Sequence, residues 1–141
     1  MRKYQDKEIP NEVMERLIEL GTKAATGSNM QPWGFLTIQG KDVIQEISEE
    51  IKKELRENLA QYKDWFYNPD FSIFNHASDL LMIYGNTNTY YYKEDGSLAA
   101  ANIMLAAHDM GIGSCWIGFA EYHMNSREFK EKYHVPEEYA L

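Results

Sequence analysis

The chain has 141 residues, with 22 acidic against 14 basic side chains, a net charge of −8 at pH 7, and 44% hydrophobic content. That length and apolar content suit one folded domain over residues 1–141, and the negative field disfavours any nucleic-acid partner. A single cysteine, Cys115, excludes an internal disulfide, and no Cys/His spacing resembles a zinc site. With no leader at Met1 and no apolar run approaching about 18 residues, a cytoplasmic protein without membrane contact is expected.

Met1 to Pro10 is polar and reads as extended, with Pro10 opening a helix. Val13, Met14, Leu17, Ile18 and Leu20 then recur at helical spacing, while Glu12, Glu15, Arg16 and Glu19 fill the other face. This helix delivers the stretch Ala24-Ala25-Thr26-Gly27-Ser28-Asn29-Met30-Gln31-Pro32-Trp33, an unusual density of small polar residues ended by a rigid Pro and an indole. Thr26 and Ser28 supply hydroxyls, and Asn29 and Gln31 each supply an amide with both acceptor and donor. Paired amides can read the pyrimidine edge of a flavin, which shows carbonyl acceptors beside an N–H donor. The competing reading is a plain turn, with Gly27 closing the helix and Ser28 and Asn29 shaping the chain reversal.

Phe35 to Gln39 reads as a strand between Gly34 and Gly40. Asp42 and Gln45 form a candidate capping box for a second helix whose stripe is Val43, Ile47, Ile51, Leu55 and Leu59. Its charged side (Glu46, Glu49, Glu50, Lys52, Lys53, Glu54) reads as solvated. From Tyr62 to His76 the aromatic residues follow no period, and filling a core edge is favoured over lining a pocket or a dimer surface. Leu80 to Tyr84 is an apolar strand.

Asp95-Gly96-Ser97 opens a third helix running to about Met110, apolar nearly all round and therefore buried on most sides, which suggests a dimer core. Gly111 is placed just past its end, where a positive φ is wanted, and Gly111 to Gly118 should turn back into the sheet. Asn125 to Glu128 is a second capping-box candidate for a short helix to about Tyr133, which Pro136 stops. Tyr139-Ala140-Leu141 begins a strand. His76, His108, His123 and His134 are scattered and read as structural or solvent-facing, and no nucleophile–base or paired-carboxylate set is visible. No catalytic side chain and no metal site are therefore expected.

The order Ala-x-Thr-Gly-Ser-Asn-x-Gln-Pro-Trp at 24–33 closely resembles the Ala-Pro-Ser-(small)-x-Asn-x-Gln-Pro-Trp signature of the FMN-dependent nitroreductase family. The segment Leu105-Ala106-Ala107-His108-Asp109-Met110-Gly111-Ile112-Gly113-Ser114-Cys115-Trp116-Ile117-Gly118 is similar to the same family's Leu-x-Ala-x-x-x-Gly-Leu-Gly-Ser-Cys-Trp-(Ile/Met)-Gly element. The resemblance runs from Arg2 to Leu141. It implies an α+β fold, a nitroreductase-like central and mainly antiparallel sheet flanked by helices, in a homodimer with FMN at the interface. By position, Thr26, Ser28, Asn29 and Gln31 would contact the flavin from one subunit, and Cys115, Ile117 and Gly118 would face it with backbone groups from the other.

Arg2 matches the last Arg of the family's Arg-Arg-Ser-x-Arg motif, and a cation at the N1/O2 edge would stabilise the reduced ring. The family's phosphate-holding residues upstream of Met1, its Gly-Tyr-Pro segment and its basic tail beyond Leu141 are not among these 141 residues, so weaker FMN binding than at the family's full length is expected. The implied activity is electron transfer from NAD(P)H through flavin N5 to a small acceptor such as a nitroaromatic or quinone. A non-catalytic flavin-binding dimer is the alternative.

Overall fold

The computed structural model describes residues 1–141, apart from the side chains of Ala60 and Lys63. Helix α1 (Asn11–Gly21) leads through a single 3-10 turn (Gly27–Asn29) to β1 (Trp33–Gln39). Helices α2 (Lys41–Asn58) and α3 (Lys63–Tyr67) precede β2 (Asp79–Asn86). Helix α4 (Tyr92–Asp109), the short α5 (Glu121–Met124), α6 (Arg127–Lys132) and β3 (Tyr139–Ala140) complete the chain.

The sheet is antiparallel with β2 at its centre. Strand β1 pairs with β2 along its whole length, from Trp33 opposite Gly85 to Gln39 opposite Asp79, whereas β3 meets it only at Gly85 and Asn86. Side chains on β2 alternate between two cores, as the period-two geometry of a strand requires. Met82 and Tyr84 face α2, where Ile44, Ile47, Ile51 and Leu55 join Phe66, Phe74 and Phe129. Leu81 and Ile83 face the other way, against Leu17 of α1 and Ile103 and Ala107 of α4. Each such fully buried aliphatic side chain contributes about 1.5–3 kcal/mol. Gly21 lets α1 and α4 approach closely, since a Cβ there would sit 2.7 Å from Ile103 Cδ1.

Several local expectations are revised. Helix α2 is preceded directly by Gly40 with no side-chain cap, so Asp42 lies inside its first turn and the proposed box does not form. Ile44, not Val43, begins its buried stripe, and Val43 is exposed. Lys52 leaves the solvated face altogether. It is buried, and its ammonium donates to the carbonyls of Asn68 and Phe71 and pairs with Glu49. In the 62–76 region Phe66, Ile73 and Phe74 do fill a core, while Trp65 and Tyr67 stay outside. At α6 the cap is Ser126, whose Oγ accepts the Phe129 N–H, rather than Asn125. His123 is structural, as expected, held between Glu54 (2.8 Å at Nδ1) and Glu50 (3.4 Å at Nε2) of α2.

Candidate functional site

The Thr26–Gln31 loop is built on left-handed backbone. Ser28, Asn29 and Gln31 have φ of 50°, 54° and 48°, a conformation that costs L residues energy unless their surroundings hold them. Within the loop, Asn29 N–H donates to Thr26 O, Met30 N–H to Gly27 O, and Gln31 N–H to Thr26 Oγ1. Outside it, Gly27 N–H donates to Asp95 Oδ1 at 2.9 Å, and Trp33 Nε1 donates to the Asp95 carbonyl at 3.1 Å. Gly27 cannot be replaced without cost, because an added Cβ would lie 2.6 Å from the Tyr91 ring. The result is a rigid loop whose backbone needs are met internally. The side chains of Ser28, Asn29 and Gln31 stay exposed and without a hydrogen-bond partner among the described residues.

The second predicted element follows α4. Gly111 takes φ 74°, with Ile112 N–H donating back to Ala107 O, which stops the helix as expected. Residues 112–118 then form no strand, contrary to expectation. They run back towards the start of α4, where Glu121 lies 3.7 Å from Lys93. The N–H groups of Ile117 and Gly118 have no backbone partner among the described residues. The Ile117 side chain packs against the α2-side core, and Gly118 faces open space, with nothing within 4 Å of an added Cβ.

The amino-terminal arm meets this segment. Asp79 accepts the Ile9 N–H with both carboxylate oxygens and Gln39 Nε2 with one, and Ser78 Oγ donates to Lys7 O. Fastened there, the arm brings the Met1 ammonium to within 3.2 Å of Ser114 O and leaves the neighbouring Arg2 exposed, without a partner among the described residues. Burial, then proximity to Cys115, pushes the Tyr4 phenol above its ordinary pKa. Arm, β2, α4 and the 112–118 segment enclose a mainly apolar cleft of about 940 Å³, with Tyr4, Ile83, Cys115, Ile117 and Gly118 on its wall.

Thus Cys115, Ile117 and Gly118 share one cleft with the arm that carries Arg2. Thr26, Ser28, Asn29 and Gln31 share a separate loop and do not line that cleft. Sequence reasoning missed Asp95, which it took for the start of α4 when the helix begins a turn earlier, at Tyr92. A usable signal was present: Asp95, Ala99, Ile103 and Ala107 form an i, i+4 row, all buried, with an acid at its head.

The family model described as the nitroreductase family matches residues 1–141. The chain belongs to that family. Among its relatives, an NADPH-dependent oxidoreductase from Staphylococcus aureus is 30% identical over 130 residues, 84% of this chain and 49% of its own. A Methanothermobacter thermautotrophicus protein is 27% identical over 137 residues, 97% of this chain. The chain spans 65% of that relative's length, so it matches only part of the longer proteins. A Bacteroides fragilis nitroreductase solved with bound FMN superposes over 99% of this chain and 77% of its own, with a TM-score of 0.89 at 24% identity. That likeness establishes the nitroreductase fold, with its antiparallel sheet between helices. No helix among the described residues is long and apolar enough to cross a membrane.

Proposed function

We propose that this nitroreductase-family chain is an FMN-dependent oxidoreductase that passes electrons from NAD(P)H to a small acceptor such as a nitroaromatic or quinone, acting as a homodimer. The observation that carries the reading is a set of free polar groups on rigid supports. Ser28, Asn29 and Gln31 project from a loop locked in left-handed backbone, and Ile117 and Gly118 offer unpaired N–H groups. Fixed donors and acceptors of this kind fit the polar edge of an isoalloxazine ring. When bound, FMN supplies the hydride chemistry between nucleotide and acceptor, which explains why no nucleophile or acid–base pair is needed.

The chain's own residues bind and orient. The Asn29 and Gln31 amides would read the pyrimidine edge, with the Thr26 and Ser28 hydroxyls beside them. Cys115, Ile117 and Gly118 would present backbone groups, the N–H among them a donor that is uncharged and indifferent to redox state. Arg2 would place a cation where negative charge builds on the ring. A second copy would bring the loop of one protomer to the Cys115–Gly118 segment of its partner, since one chain keeps them apart. An apolar stripe on α4, with Leu98 and Leu105 48% and 71% exposed and Ala101 between them, supplies a face for it.

The test is anaerobic titration of purified protein with FMN, followed by NADH or NADPH. Bound flavin that loses its visible absorbance on adding nucleotide and regains it with a quinone supports the reading. Flavin that binds but is never reduced identifies the non-catalytic binding protein, and no binding at micromolar FMN overturns both.

A further inference from the structure

We propose that Asp95 is the positioning residue of the amide loop: by accepting the Gly27 N–H, its buried carboxylate holds residues 26–31 in the left-handed form that presents Asn29 and Gln31. The proposal rests on the flavin-site reading above and assigns a role to a side chain outside the predicted binding set.

Asp95 is only 3% exposed, in the first turn of α4. It fastens both ends of the loop. Gly27 at the start donates to its Oδ1, and Trp33 at the end donates to its main-chain carbonyl. Among the described residues every other hydrogen bond of residues 26–31 stays inside the loop, so the bond to Asp95 is the one hydrogen bond that ties this stretch to the rest of the molecule.

The second oxygen carries the argument further. Asp95 Oδ2 is a buried side-chain oxygen with no hydrogen-bond partner, and no other described residue has a side-chain polar atom in that state. A buried carboxylate with one oxygen unpaired is a costly choice, and an Ala would extend the apolar row of Ala99, Ile103 and Ala107 more cheaply. The positive end of α4 offsets part of the charge. What Asp95 supplies that Ala cannot is the acceptor for Gly27. Its burial also keeps it from substrate and solvent, so it positions rather than reacts.

Hydrogen exchange on the FMN-free protein tests the local claim, and FMN titration by fluorescence quenching tests its consequence. In the unmodified chain the Gly27 amide should exchange at least tenfold more slowly than that of its exposed neighbour Ser28. Asp95→Ala should speed Gly27 exchange and raise the FMN dissociation constant, each at least tenfold, whereas Asp95→Asn, which keeps an oxygen acceptor, should stay within threefold on both. Fast Gly27 exchange in the unmodified protein overturns the proposal without any variant. So does an Asp95→Ala protein that binds FMN normally, or an Asp95→Asn protein no better than the Ala variant. Should the unmodified protein bind no FMN, the flavin reading fails while the exchange rates still decide whether Asp95 holds the loop.

Discussion

Replacing Asn29 by Gly separates the loop's architecture from its binding chemistry. Asn29 has φ 54°, a region that costs L residues roughly 1–2 kcal/mol, less for Asn, and nothing for Gly. Its exposed side chain holds no other part of the chain, so Asn29→Gly removes strain while adding roughly 0.5–1 kcal/mol of unfolded-state entropy. These nearly cancel, and the melting temperature should move by less than about 4 °C. The lost amide, by contrast, would leave flavin groups unpaired, at about 1–3 kcal/mol, which is roughly a 5- to 150-fold weaker FMN dissociation constant. Thermal melts and quenching titrations on one preparation read both quantities. A change under about twofold in affinity would show that Asn29 only shapes the turn, and a collapse in melting temperature would show that its amide supports the fold.

Leu105→Glu, at a position 71% exposed in the single chain, should leave the fold intact yet convert a dimer into monomers by light scattering; a monomeric parent protein would refute the α4 interface. Gly118→Val meets nothing within 4 Å, so it should melt like the parent protein, but at saturating FMN it should slow flavin bleaching by NADH. Ile117→Val should not, and equal stopped-flow rates for the two variants would mean that this segment does not touch the ring. Burial raises the Tyr84 phenol far above its ordinary pKa of 10.0, so above about pH 10 the unfolded chain sheds a proton that the folded chain keeps. Stability should therefore hold below pH 10 and fall above it, by up to about 1.4 kcal/mol per pH unit from this group. Tyr84→Phe should lessen that alkaline slope, at a cost of about 1 kcal/mol at neutral pH for the lost bond to Met124 O, and an unchanged slope would refute the assignment.

The sequence was most legible where one residue's neighbours along the chain decide its fate. The spacing of Met14 and Leu17 placed α1, the apolar run at Leu80–Tyr84 placed β2, and Gly111 marked the end of α4. It was least legible where a distant segment decides. Lys52 looks solvated on a helical wheel, and only the carbonyls of Asn68 and Phe71, folded over α2, make its burial possible. Residues 112–118 carry strand-like side chains but form no strand, and whether such a segment joins a sheet is decided by distant chain. Asp95 follows the same logic: its partner Gly27 is 68 positions away, so neither its burial nor its carboxylate's use could be read locally. That residues 24–33 connect a helix to a strand was legible, while the left-handed backbone at three non-glycine positions was not, because Ser, Asn and Gln do not demand that conformation.

The packing of α1 on α4 has a consequence for how the chain emerges from the ribosome. Leu17 finds its partners Ile103 and Ala107 only after more than eighty further residues have been made, which takes roughly 4–17 s at 5–20 residues per second. Until then Leu17 has only Phe35, Leu81 and Ile83 of its own core to pack against, and the face that α4 will cover stays open. The α2-side core also closes late, since Met124 and Phe129 belong to it. Both cores are therefore completed only late in synthesis, although β1 and β2 can pair earlier. Ribosome-stalled chains ending before Ile103 should be open to proteolysis within α1 and bound by holding chaperones that release once α4 is complete.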